Sequence, residues 1–519
     1  MIRRTKKRKT TYLAVIFALL ISIGIGYAYL SSTLYINGNV TITKNNWDVH
    51  FENIVVTKNS ANASVIPTLT NNNTKVIASI NLDSPGSFYE FTVDVVNNGT
   101  IDAMLSEIAS TSLTEEQQKY LEYSITYDDG VAFQNKDSLP ANGTETIRVK
   151  VKYRDDVSED NYPKEDQVLV FTIQATYIQD DGTGVHRESK LLLKKIKKTA
   201  ELDNIASTYV TASTGIDFSQ MSSDTNGKGV YILASTKDDQ YPIYYYRGAV
   251  DNNNLKFANF CWKIVRTTET GGIKLIYNGT PDSNGYCTNT TGEATYIGVG
   301  AFNNNSNDNA YVGYMYGIVG SSTYDETHAN TNDSLVKTVI DEWYKTNITS
   351  YTDKLEDTVW CNDRSIVTDS TYTGNGTGIT KTMYSARNRL LVNKMPTLNC
   401  RNDNDKFTVD EANGNGALTY PIALLTIDEV AFAGGLHYSA TESENHTSYY
   451  LYNNQRSWTL SPDAFNGVNA GNTTVYGTGL FGNVDLHYSP SAIRPAISLA
   501  PFTVVSDGDG TSTNPYIVQ

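Results

Sequence analysis

The chain has 519 residues, enough for two to four domains, and a formal charge of -15. A body this acidic repels phosphates, which argues against a nucleic-acid partner, and it suits the solubility of an exported protein. With 36 tyrosines against 13 prolines, the composition favours exposed β-structure over helical bundles.

The amino-terminal residues point to a compartment. Arg3, Arg4, Lys6, Lys7, Arg8 and Lys9 precede Tyr12 to Leu30, a stretch that is apolar apart from Ser22, Gly24, Gly26 and its tyrosines. About twenty apolar residues span a bilayer, and the basic flank predicts that this end stays in the cytoplasm while the rest goes outside. Gly26-Tyr27-Ala28 supplies small residues for a signal peptidase. Residues 1–30 therefore read as a signal peptide cleaved after Ala28 or as an uncleaved membrane anchor. Either way the chain is expected to be extracytoplasmic, secreted or anchored to the membrane.

Residues 34–180 read as an all-β sandwich of the immunoglobulin-like or jelly-roll kind. Phe91, Val93 and Val95 alternate with Glu90, Thr92 and Asp94, the period of a half-buried strand. Ile147, Val149, Val151 and Tyr153 repeat the pattern, as do Leu169, Phe171, Ile173, Ala175 and Tyr177. Asn97-Asn98-Gly99 and Pro140-Ala141-Asn142-Gly143 supply turns. Glu115 and Glu116 open a short helix over 114–121.

Residues 181–226 read as a linker. Within it, Leu191 to Lys198 carries four lysines in five positions and predicts a short, solvated basic helix.

Residues 227–519 read as an α+β domain. Strands are predicted at 229–233, 243–246, 260–265 and 273–277. Asp333 is placed to cap a helix whose apolar face is Leu335, Val336, Val339, Ile340 and Trp343. Thr426-Ile-Asp-Glu429 is a capping box, and that helix stops at Gly434-Gly435.

Four cysteines, Cys261, Cys287, Cys361 and Cys400, all lie in this half. An even count in an exported chain predicts two disulfides. Three pairings are possible, and Cys261–Cys287 with Cys361–Cys400 is favoured. A metal site is not expected, because no C-x-x-C pair exists and no histidine stands within four residues of a cysteine.

Chemistry of other kinds leaves little trace. His50, His186, His328, His437, His446 and His487 match no metal-ligand spacing, and no G-x-S-x-G elbow, Walker loop or dinucleotide fingerprint occurs. Asp428 and Glu429 are accounted for by the dipole of the helix they open, and Asp341-Glu342 by a solvated helix face. Asp507-Gly508-Asp509-Gly510 reads as a tight turn before a last strand. No cofactor is implied.

Two apolar stretches, Ser457 to Pro462 and Ile493 to Leu499, enclose residues rich in Asn, Gly, Tyr, Asp, Phe and His. Trp458, Leu460 and Ile493 to Leu499 read as core, and the segment between them as a displayed surface. Tyr gives rigid contact area, and Asn and Gly give adaptable hydrogen bonding. The candidate ligand contacts are Asp463, Phe465, Asn466, Asn469, Asn472, Tyr476, Phe481, Asn483, Asp485, His487 and Tyr488.

Two resemblances follow. Gly24-Ile-Gly-Tyr-Ala-Tyr29 after its basic lead resembles the export signal of the camelysin/TasA-like surface proteins of Gram-positive bacteria, and the sandwich fits that family. Tyr245-Tyr-Arg-Gly-Ala-Val, Phe260-Cys-Trp-Lys-Ile-Val-Arg, Trp360-Cys-Asn-Asp-Arg-Ser, Trp458-Thr-Leu-Ser-Pro and Ile493-Arg-Pro-Ala-Ile-Ser-Leu resemble a family of uncharacterised surface proteins of gut Firmicutes. That family is similar to the C-type-lectin-like fold of formylglycine-generating enzymes and of the variable proteins of diversity-generating retroelements. The resemblance implies a displayed binding face. It carries no oxidase chemistry, because the late copper-binding cysteine pair is missing: nothing after Cys400 is a cysteine. The calcium-lectin tripeptides Glu-Pro-Asn and Gln-Pro-Asp are also absent.

The expected function is a non-enzymatic, exported ligand-binding or adhesion module on a β-sandwich stalk, facing an extracellular protein or glycan. A structural matrix or fibre subunit is one alternative. An enzyme on a formylglycine-type fold is the other.

Overall fold

In the computed structural model the described residues are 45–110, 112–158, 162–163, 169–185, 187, 189–202, 209–210, 216–222, 227–233, 243–437, 445–487 and 490–519. The export segment, His186 and Tyr488 lie outside them. No helix among the described residues is long and apolar enough to cross a membrane.

β-Structure dominates, with few helices. The first half has strands β1 (Val49–Asn59), β2 (Asn62–Thr70), β3 (Lys75–Asn81), β4 (Phe88–Asn97), β5 (Ala103–Ser110), β6 (Leu121–Tyr127), β7 (Ser138–Leu139), β8 (Thr144–Tyr153) and β9 (Leu169–Gln179). They form two antiparallel sheets, ordered β1-β4-β8-β6 and β2-β3-β9-β5-β7. Phe91, Val93, Ile147 and Val149 of one sheet and Val76, Ala78, Phe171 and Ile173 of the other share one apolar core. The alternation in the sequence thus marks the inward face. The helix expected over 114–121 is a single 3-10 turn at Gln117–Lys119. Thr114 and Gln117 close it on each other: the Thr114 amide donates to Gln117 Oε1, and the Gln117 amide to Thr114 Oγ. The chain then re-enters a strand at Leu121, which is buried against Tyr120 and Tyr153.

The basic helix α1 (Leu192–Leu202) is more than a solvated link. Leu192, Ile196 and Ala200 are fully buried in the core of the second half. Its Lys194 reaches the other way, to Asp128 at 3.2 Å and Glu145 at 3.3 Å on the sandwich. Arg187 bridges Asp129 and Glu145 beside it. The spacing of Leu192, Ile196 and Ala200 puts one helix stripe into a core, while the lysines between them extend to water or to carboxylates.

In the second half one sheet is built from β10 (Tyr209–Val210), β11 (Gly229–Leu233), β12 (Ile243–Arg247), β13 (Asn254–Phe257), β14 (Phe260–Thr267) and β15 (Ile273–Tyr277). Further on come β16 (Gly298–Gly300), helix α2 (Leu335–Asn347), β17 (Thr382–Tyr384), β18 (Ile422–Ala423), helix α3 (Ile427–Phe432) and β19 (Leu436–His437). Then come β20 (Ser457–Phe465), β21 (Ala470–Val475), β22 (Leu480–Asp485), β23 (Ser491–Ile493) and β24 (Ala496–Leu499), and last a short strand at Tyr516–Ile517 beside β13. β24 joins the first sheet between β15 and β18. β16, β23, β20, β21, β22 and β19 make the second, in that order, with β17 paired to the outer half of β20. Phe302, Trp458, Leu460, Phe465 and Ile497 belong to one continuous core with Trp262 and Trp360.

The helix caps divide. Thr426 and Glu429 form the expected capping box on α3. On α2 the cap is Ser334, whose hydroxyl accepts the Lys337 amide at 3.2 Å, while Asp333 pairs with the Lys337 ammonium at 3.3 Å. Val339 faces water, and Val336, Ile340 and Tyr344 fill the buried face. The two disulfides are Cys261–Cys287 and Cys361–Cys400, the bonding that an oxidising, extracytoplasmic compartment favours.

The helix dipole does not account for Asp428 and Glu429, which are buried ion-pair partners. Glu429 meets Arg266 at 2.8 Å and Lys274 at 2.9 Å; their attraction holds its carboxyl down at about 2 despite burial, which acts the other way. Asp428 takes Arg389 at 2.8 Å, and Asp341 takes the buried Lys337 at 2.6 Å. Glu356 differs. It is wedged beside Gly272, where a Cβ would collide with its carboxylate, and accepts Ser498 Oγ at 3.0 Å. Desolvation pushes its carboxyl up to about 7.

Two expectations follow. Replacing Ile196 with Ala should cost about 2–4 kcal/mol in urea unfolding, and replacing the exposed Lys198 with Ala under about 0.5 kcal/mol. Equal effects would contradict the docked helix. For Glu356, the folded chain keeps a proton that the unfolded chain releases near the ordinary carboxylate value. Its stabilising contribution is complete at low pH and is lost as pH rises through about 7. Glu356→Gln should therefore raise Tm over wild type more at pH 8 than at pH 4; a difference independent of pH would remove Glu356 as the cause.

Candidate functional site

The segment between the apolar stretches is a three-stranded meander, β20-β21-β22, whose strands pair in antiparallel register. β20 is buried along its whole length. β21 is buried too, and its polar residues bond inward: Asn472 Nδ2 donates to the Thr459 carbonyl at 2.7 Å, and Thr459 Oγ to the Thr473 carbonyl at 2.6 Å. Most of this region is therefore wall rather than display.

That divides the eleven sequence candidates. Phe465 and Phe481 are core side chains, and Asn472 and Asp463 are fully buried, so these four do not face solvent as expected. β20, β21 and β22 each lie between two paired strands, which buries them. Asn466 and Asn483 are exposed, and Asn469, Tyr476, Asp485 and His487 are half-buried. Tyr476 gives its hydroxyl proton to the Asn483 carbonyl at 2.9 Å. His437 and His446 are interior as well, against Phe481 and Tyr449.

Four of the candidates, Asn466, Asn469, Asn483 and Asp485, converge on one cavity of about 230 Å³, where they meet Tyr372 and Arg387. The β20–β21 turn and the outer half of β22 form one wall. Its floor is Ala464, Ala470 and Gly471. A Cβ at Gly471 would stand 2.5 Å from Asn483 Nδ2, so a larger residue there would displace the Asn483 amide. The other wall comes from the helical turn Ser385–Arg387, which follows β17 directly, and from the loop before that strand.

Beneath the floor, Asp463 fixes both walls. Its Oδ2 takes Arg387 Nη1 at 2.8 Å and also accepts Asn483 Nδ2. Its Oδ1 is buried with no hydrogen-bond partner among the described residues. The paired Asp463 charge raises the Arg387 guanidinium against the desolvation that lowers it. Arg387 also lies 5.8 Å from the Tyr372 ring centroid, with Lys381 at 5.4 Å. Tyr372 is held by Asp369, whose carboxylate accepts its amide at 2.7 Å.

The amides have set orientations. Asn466 Oδ1 accepts the Val468 and Asn469 backbone N–H groups, both at 2.9 Å, and closes the turn. Asn469 Oδ1 accepts Ser306 Oγ at 3.3 Å, and the same hydroxyl reaches Asp485 at 3.4 Å. Asp485 Oδ1 takes the His487 amide at 2.9 Å.

Sequence reasoning misses Arg387 and Tyr372. They lie about eighty residues upstream, and neither sits in a periodic or motif context that marks it. Comparison with protein-family models, with curated proteins and with solved structures finds no match.

The Asp463–Arg387 pair is testable by itself. Asp463→Asn should destabilise the chain by about 2–4 kcal/mol, less than for a wholly buried pair because Arg387 is part exposed. The double variant Asp463→Asn/Arg387→Gln should recover part of that loss in urea unfolding. Strict additivity of the two changes would show that they do not interact.

Proposed function

We propose that the chain is an exported, non-enzymatic binding protein whose ligand enters the cavity between Arg387, Tyr372 and the β20–β22 meander. The observation that carries this reading is convergence: four residues chosen for their chemistry as contacts line one cavity, together with a cation and an aromatic ring. Concave sites with a few fixed polar groups are where small ligands or single units of a polymer bind.

The sandwich, of an immunoglobulin-like or jelly-roll kind, serves as the stalk. The second half acts as a C-type-lectin-like module that presents the cavity to an extracellular ligand. The two disulfides support an oxidising compartment, and the apolar lead Tyr12 to Leu30 supports export as a secreted or membrane-anchored chain. Rigidity supports binding: Asp463 and the turn bonds of Asn466 pre-set the walls, so little ordering is left to be done on contact.

The whole chain, probed on an array of glycans and cell-surface proteins, should give a signal that falls at least tenfold in Tyr372→Ala. A silent array, or a signal indifferent to Tyr372 and to Asn483→Ala, would sink the proposal.

A further inference from the structure

The buried cations Arg266, Lys274, Lys337, Arg364 and Arg389 each meet a carboxylate. Lys263 does not. It stands on β14, only 8% exposed, and among the described residues its ammonium has one hydrogen-bond partner, Asn254 Oδ1 at 2.6 Å. Asn254 is fully buried on β13, directly opposite Lys263 in the antiparallel register. The turn between the two strands is Ala258-Asn259, both at positive φ, the form that suits a two-residue hairpin. A tight turn therefore sets the register that brings this amine to this amide.

The Asn254 amide is fixed from its other side. Its Nδ2 donates to the Asp251 carbonyl at 2.7 Å and to the Gly510 carbonyl at 3.0 Å, so its oxygen has to face Lys263. The amide carbon, Cγ, is one bond beyond that oxygen. Burial first, and then the charge of Arg494, bring the Lys263 amine down to about 8, against the opposing charge of Asp251. Roughly a tenth of it is then neutral and nucleophilic at pH 7.

We infer that Lys263 and Asn254 join in an intramolecular amide cross-link. The neutral Nζ attacks Cγ, the Nζ–Cγ bond forms and the Cγ–Nδ2 bond breaks. Nδ2 leaves as ammonia with a proton that comes from Nζ, so atoms balance without an oxidant or other co-reactant. The fold supplies proximity by holding both groups in one register. The product also replaces a buried charge that has no carboxylate partner by a neutral amide. The bond closes the hairpin that carries Cys261 and that the strand at Tyr516–Ile517 pairs with. It is a second covalent tie beside the Cys261–Cys287 disulfide, and one that reducing agents leave intact.

The test is peptide mass spectrometry on the purified full chain, reduced, alkylated and digested with trypsin. Trypsin cuts after Arg247, Lys256 and Arg266, and after Lys263 only where that amine is free. The expected main product is 248–256 joined to 257–266, lighter than the two together by one ammonia, with fragment ions placing the bond between Asn254 and Lys263. Lys263→Arg keeps a cation but offers no amine, so the joined product should be lost and the separate peptides recovered. Wild-type peptides 248–256 and 257–263 found separate and at their unmodified masses overturn the inference. Conversion of Asn254 to aspartate without joining overturns it too, as does a joined product that persists in Lys263→Arg.

Discussion

The ion pair between Asp463 and Arg387 is the constraint on which the site depends. Asp463 sits near the end of β20, a strand with no side chain open to water, so its charge needs a partner within reach. Arg387 supplies it across the floor, and Asn483 adds a second hydrogen bond to the same oxygen. One buried carboxylate thereby ties the turn after β17 to the far strand of the meander. The cavity is the space left between the two tied walls. Gly471 leaves room beneath Asn483 for that arrangement.

The frame behind this pair is stiff for a related reason. Glu429 lies between Arg266 and Lys274, and Arg389 lies between Asp363 and Asp428, so α3, the two central strands β14 and β15, and the segment after Cys361 are joined by buried ion pairs. Buried pairs of this kind add little net stability over apolar packing, but breaking one partner is costly, which fixes the geometry. Arg494 is a contrast: it has no carboxylate partner among the described residues and is held by the carbonyls of Leu451 and Tyr277 and by Asn278. Burial brings its guanidinium down to about 10, which still leaves it charged at neutral pH.

How much was legible in the sequence follows from the same physics. Strands with one apolar face, such as β4, β8 and β9, announce themselves by alternation, and the Thr426–Glu429 box marks the start of α3 because the cap is local. The cysteine pairing also agrees with the reading of the chain. β21 is the opposite case. Asn472, Thr473 and Thr474 are polar and buried, so no alternation separates an inner from an outer face, and the segment reads as an open loop. The basic helix misleads in the same way: its lysines dominate the pattern, while Leu192, Ile196 and Ala200 carry the packing. Arg387 and Tyr372 have no local signature, because what makes them site residues is β17 pairing with β20.

The most direct measurement is a crystal structure of the chain with a ligand from the array soaked in. The account predicts density in the cavity, in contact with Arg387 and Tyr372, and with the Asp463–Arg387 pair unbroken. An empty cavity with the ligand bound elsewhere would contradict it.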